Sequence, residues 1–116
     1  MDLRIAFAAA ALALTNAPAA AQTANDDVKC LLASNLFVKA EKDPGKHQVA
    51  VLSSYYYLGR VDARLSGTQL SAALKAQAPT INAENAGPTM TACAKRVQGA
   101  ATAIQALGKS ITGAPK

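Results

Sequence analysis

Between residues 26 and 42, apolar side chains return every three or four positions, the spacing of one helix face. Val28, Leu31, Leu32, Leu36, Phe37 and Ala40 make that face, and Asp26 or Asp27 can cap it with acidic charge at the positive helix end. The pattern predicts a first helix over about residues 27–42, stopped by the turn chemistry of Asp43-Pro44-Gly45. A second helix is predicted over about 46–65. It carries apolar rows Val49/Leu52/Tyr56, Val51/Tyr55/Leu58 and Ala50/Tyr57/Val61/Leu65. A helix apolar most of the way round belongs at the centre of its domain. Ser66-Gly67 ends it, and Thr68 is placed to cap a short third helix (69–77) bearing Leu70, Ala73 and Leu74. Ala78-Pro79 opens a loop to about Gly87, with Ile81 as its anchor to the core. Pro88 suits the first turn of a last helix over 88–111. There Met90, Cys93, Val97, Ala100, Ala101, Ile104 and Leu107 keep helical spacing and predict an inward stripe. Gly99 costs about 1 kcal/mol in a helix interior, so it points to a close helix crossing or a local bend. The tail after Thr112 is expected to fray. No segment alternates as a strand does, and the expected fold is an all-α, four-helix domain.

The first 21 residues read differently. Arg4 and the terminal amine outweigh Asp2, Ile5–Leu14 is an unbroken apolar run, and Ala19-Ala20-Ala21 offers small residues before Gln22. That three-part layout is the one of a cleaved secretory signal. As helix, the run spans about 15 Å, half the hydrocarbon thickness of a bilayer, so it is too short for a stable anchor. An uncleaved buried helix is the competing reading. The expected organisation is therefore a signal peptide over 1–21 and a single helical domain over 22–116, exported to the periplasm with no membrane anchor left.

Export changes the meaning of Cys30 and Cys93, the only cysteines of the chain. In an oxidising compartment an even pair reads as a disulfide, whereas in the cytosol it reads as two buried thiols. A bridge closing about 63 residues contributes roughly 4 kcal/mol by the chain-entropy model. On a domain stable by about 5–15 kcal/mol, that decides whether the fold survives. Both cysteines fall on or beside inward helix faces, so the staple joins the first helix to the last.

Composition then narrows the chemistry. Of the 23 Val, Ile, Leu, Met, Phe and Tyr residues after position 21, 15 lie within Val28–Leu65, while the remainder of the chain has eight with 13 alanines. Bulky early helices packing on a smooth later one make a thin core. The charge is +5 over the full chain and also after position 21, where 11 basic residues face six acidic ones. His47 is the only histidine, so neither a catalytic triad nor a multi-histidine metal site can be assembled. No Gly-x-Ser-x-Gly, His-Glu-x-x-His or phosphate-cradling glycine loop occurs. No catalytic residue, metal ligand or cofactor site is expected. Nucleic acid is a poor partner for an exported chain without a basic–aromatic motif.

Tyr55-Tyr56-Tyr57 followed by Arg60 and Arg64 is the most distinctive stretch. Consecutive helical residues point about 100° apart, so one or two of the tyrosines belong to the core and the third is left for a partner. The arginines read either as a solvated face or as a docking surface for an acidic partner.

Two families of small exported helical proteins are similar to these features. The segment Tyr56-Tyr57-Leu58-Gly59-Arg60-Val61-Asp62-Ala63 resembles the Gly-centred helix of the Rap1a/Tai immunity proteins of type VI secretion. Thr68-Gln69-Leu70, with Leu74 and Pro79, is similar to their Thr-x-x-Gln-Leu segment, so the likeness runs over about Ser53–Pro79. It implies an inhibitor-like role against another protein. In length, helical content and a cysteine pair joining Val28–Leu32 to a late helix, the chain also resembles the periplasmic HdeA-type acid-stress chaperones. That likeness implies a dimer that opens at low pH and shields unfolding clients. The expectation is a non-enzymatic protein that binds a partner in the cell envelope through Tyr55, Tyr56 or Tyr57 with Arg60 and Arg64. A stress-protective chaperone or a structural envelope protein is the alternative, and the sequence leaves a homodimer open.

Overall fold

A computed structural model describes residues 22–112; residues 1–21, where a signal peptide is expected, and the tail beyond Thr112 lie outside the described residues. The chain forms four α-helices, α1 (Ala24–Ala40), α2 (Pro44–Arg64), α3 (Gly67–Gln77) and α4 (Ala86–Thr112), with a 3₁₀ turn at Ala78–Thr80. There is no strand among the described residues, and Cys30 of α1 is joined to Cys93 of α4 by a disulfide. The fold is the expected all-α one. None of the described helices is long and apolar enough to cross a membrane.

The helices start two or three residues earlier than the pattern predicts and end within two residues of it, and at α1 and α3 different residues do the capping. Thr23, not Asp26 or Asp27, caps α1: its Oγ1 accepts from the Asp26 N–H while Asp26 Oδ2 accepts from the Thr23 N–H. This reciprocal pair satisfies two otherwise orphaned donors and releases Asp27 for another task. Asp43 caps α2 by accepting from the Lys46 N–H, with Pro44 in the first turn. At α3 the cap is Ser66 and not Thr68, with Gln69 Oε1 accepting from both the N–H and the hydroxyl of Ser66. The expected loop before α4 is tied by Asn82 and Asn85, whose side-chain oxygens accept from backbone N–H groups within it. Ile81 is half-buried there.

The α1–α2 pair is the body of the molecule. It is an antiparallel hairpin whose register is fixed by two polar rungs seven residues apart on each helix. Ser34 and Ser53 share a buried 2.7 Å hydrogen bond, and Asp27 meets Arg60 at 3.0 Å. Between and beside these rungs, Val28, Leu31, Tyr57 and Val61 fill the core, joined by Ala73 from α3 and Cys93 from α4. Ser34 and Ser53 replace what would otherwise be methyl groups, and small side chains at that level let the two backbones come close.

Helix α4 departs most from expectation. Its stripe is buried at Ala86, Met90 and Cys93 and half-buried at Val97, but Ile104, Leu107 and Ile111 lie in the open. Beyond Ala101, which still borders Val49 and Leu52 in the middle of α2, the helix has no cover from its neighbours. Gly99 does not mark a helix crossing, since a Cβ placed there meets nothing within 4 Å, and the helix is uninterrupted through it.

The serine rung yields a direct test. Ser34→Ala or Ser53→Ala alone strands a buried hydroxyl and is expected to cost about 1–3 kcal/mol, whereas the double substitution is expected to cost less than the sum of the two, close to neutral. Denaturant unfolding of the three variants measures this, and an additive double variant would contradict the pairing.

Candidate functional site

The tyrosine–arginine segment sits on the C-terminal half of α2, and one turn of helix sends its three tyrosines to three environments. Tyr57 is fully buried, and its hydroxyl donates a 2.8 Å hydrogen bond to the carbonyl oxygen of Cys93. Burial disfavours the phenolate and pushes the Tyr57 pKa up to about 12, although Arg96 acts in the opposite direction. Tyr56 is half-buried with its ring edge-on to Tyr57, the centroids 5.0 Å apart. Tyr55 is 69% exposed. Of the three, Tyr57 is closed to any partner, Tyr56 offers one edge, and Tyr55 is open.

Arg60 and Arg64 are neither a plain solvated face nor two unengaged cations. Both reach Asp27, which is wholly buried, and both donate to the same oxygen: Arg60 Nε at 3.0 Å and Arg64 Nη1 at 2.7 Å from Oδ2. Oδ1 accepts from Gln22 Nε2 at 2.7 Å, so both carboxylate oxygens are engaged. The hydrogen bond to Asp27 is also what raises the Arg60 pKa above its ordinary value. Arg60 lies over the Tyr56 ring with its guanidinium carbon 5.9 Å from the centroid, within cation–π range. The two arginine side chains keep 36% and 39% of their surface. Two cations on one anion leave the cluster with a net positive charge at the surface.

This cluster is a lock between α1 and α2 with a wet outer side. The composition of the segment identifies the arginines but not Asp27, whose place at the start of α1 makes it look like a cap. A signal for it does exist: Asp27 stands seven residues before Ser34, and Arg60 seven after Ser53, a matched heptad step on two facing helices.

A second feature lies along the neighbouring flank of α2. Val49, Leu52, Tyr56 and Arg60 succeed one another at steps of three, four and four residues, so they share one side of the helix. Val49 and Leu52 are exposed. Between this flank and α4 runs a groove in two compartments that share Val49, Ala94 and Gln98. The wider one, about 470 Å³, has Phe37, Ala50 and Met90 in its wall and Glu41, Lys46 and Lys95 around it. The narrower one, about 290 Å³, is lined by Leu52, Val97 and Ala101 and is mostly apolar. A seam of this kind arises because α4 presents alanines where α2 presents larger side chains, and the two do not close on each other.

Among the described residues no group of three or more His, Cys, Asp or Glu side chains gathers to hold a metal ion. His47, half-buried near the start of α2, has no such cluster around it. The chain matches no family model, no curated protein and no solved structure.

Exposure makes the lock asymmetric, and that asymmetry is testable. Asp27→Asn leaves two guanidiniums that water can reach, while Arg60→Ala with Arg64→Ala leaves a buried carboxylate with only Gln22. The double arginine variant is expected to lose about 3–5 kcal/mol and Asp27→Asn distinctly less. Equal losses in chemical denaturation would show that Asp27 is solvated in the folded protein.

Proposed function

We propose that this protein is a non-catalytic, exported binding module that docks on another protein of the cell envelope, in the manner of an immunity protein or inhibitor. The observation that carries this reading is the flank of α2 with its adjoining groove. A small domain exposes Val49 and Leu52 beside a seam lined by Met90, Ala94 and Val97. Exposed apolar side chains bordering a concave surface are what protein-recognition sites are made of. The groove is long, open and bordered by helices, which suits an amphipathic segment of the partner laid along it.

Charge gives the partner its complementary character. Lys46 and Lys95 border the wider compartment against the single Glu41, and Arg60 with Arg64 adds residual positive charge further along α2. On a chain of net charge +5 this favours an acidic partner surface. Export is supported by the layout of residues 1–21 and by a disulfide that an oxidising compartment maintains. The resemblance of Tyr56–Ala63 to the Rap1a/Tai immunity proteins points to the same class of role.

Binding is expected to be saturable and to depend on the α2 flank. In a titration against envelope proteins, Leu52→Arg should weaken capture of the partner at least about tenfold, the loss expected for a central interface anchor. Leu58→Ser, on the far side of α2, should leave it unchanged. Equal capture by both variants, or no saturable partner at all, would refute the assignment.

A further inference from the structure

We infer that the exposed end of α4 is a pairing arm for a second copy of this chain, and that two arms pack antiparallel about a two-fold axis. This rests on the exposed seam beyond Val97 and not on the proposed function, although Ala101 belongs both to the arm and to the narrower groove compartment.

Ala86, Met90, Cys93, Val97, Ala100, Ile104, Leu107 and Ile111 follow one another at steps of four and three in strict alternation. An average period of 3.5 is the repeat of a helix that packs against another helix along its whole length. The first half of the seam is used within the chain, where Ala86, Met90 and Cys93 are buried against the body. The second half has no cover. Ile104 is 67% exposed, Leu107 61% and Ile111 81%, and every residue from Ala101 to Ile111 is exposed. About three turns of helix, some 16 Å, therefore project beyond the body.

Charge selects the occupant. From Val97 to Thr112 the only charged residue is Lys109, which helical geometry puts on the side of α4 opposite the seam. A second copy, itself carrying +5, can thus approach the arm without bringing like charges together. An anionic membrane surface would want cations flanking the apolar stripe, and an acidic helix would want them beside the seam. Instead, the positions beside Ala100, Ile104 and Leu107 are Ala101, Ala103 and Gly108, small and neutral, which permits close approach of two helices.

Antiparallel pairing also fits the seam to itself. With the axis between Gln105 and Ala106, Ile104 of each arm faces Leu107 of the other, and Ile111 faces Ala100. Large side chains oppose small ones at the ends and similar ones meet in the middle. The contact is isologous and closes at two copies. Each body stands at an opposite end of the paired arms, clear of the other, and the Phe37–Met90 end of the groove remains open. Such arms bury less than the ~1,200 Å² of a standard stable interface, so the dimer is a reversible, concentration-dependent one.

Sedimentation velocity of the oxidised protein over a roughly hundredfold concentration range reaching high micromolar should show monomer passing to dimer. Leu107→Lys should weaken the dimer at least about tenfold while leaving the melting temperature of the dilute protein unchanged, because Leu107 lies outside the core. Gln105→Lys, adding the same charge away from the seam, should leave association intact. A mixture of Ile104→Cys and Leu107→Cys chains should form a covalent dimer faster than either alone. A monomer at every concentration overturns the inference, as does a dimer indifferent to Leu107→Lys. Ile104→Cys chains that cross-link among themselves as fast as the mixture would overturn the antiparallel arrangement. Monomers that co-sediment with anionic vesicles through the arm would assign it to a membrane instead.

Discussion

Everything beyond the α1–α2 hairpin depends on how α4 is attached at one residue. Cys93 is held twice: its sulfur is bonded to Cys30 of α1, and its carbonyl oxygen accepts the buried Tyr57 hydroxyl of α2. One residue of α4 is thereby fixed to both helices of the hairpin. Around it the burial is modest, with Ala86 and Met90 on the same stripe and Val97 only half-covered. An alanine-rich stripe buries little area, and at about 25 cal/mol per Å² it contributes correspondingly little. A cross-link worth roughly 4 kcal/mol is large beside that. The hairpin has its own means of cohesion, in the Ser34–Ser53 rung and the Asp27 lock, and needs α4 less than α4 needs it.

That division of labour explains where the exposed apolar surfaces lie. Tyr57, Val61, Val28 and Leu31 are consumed in closing the hairpin, and the staple relieves α4 of the need to be covered along its length. Val49 and Leu52 on the α2 flank, and Ile104, Leu107 and Ile111 on the arm, are left in the open. A conventionally packed helix of 27 residues would have turned both sets inward. The exposed apolar surface is thus a consequence of using a covalent bond where a larger domain would use packing. The same economy divides one helix: the part around Cys93 and on to Ala101 forms a groove wall, and the part beyond it is left uncovered.

Much of this organisation is visible in the residue pattern. Three- and four-residue spacing marks all four helices, and Asp43-Pro44-Gly45 and Ser66-Gly67 mark two of their ends. The cysteines on inward faces mark the staple. The caps are less legible, because Thr23 and Ser66 compete with Asp26, Asp27 and Thr68, and the outcome turns on a reciprocal pair of hydrogen bonds between Thr23 and Asp26 and on two that Ser66 donates to Gln69. The Asp27 lock escapes a local reading since its members are 33 and 37 residues apart. Finding it requires the register of two facing helices, which the heptad steps Asp27–Ser34 and Ser53–Arg60 contain only once the helices are known to pair. The α4 stripe shows a different limit. Periodicity says that Ile104 and Leu107 share a side with Cys93, but it is silent on whether α1 and α2 lie alongside that part of α4.

The dependence on Cys93 is tested most directly by amide hydrogen exchange on the Cys30→Ala, Cys93→Ala double variant, beside the oxidised protein. Protection is expected to fall in α4, from Ala86 onward, while the inner amides of α1 and α2 keep most of theirs. An α4 that stays as protected as in the oxidised protein would contradict the staple's place as its main attachment.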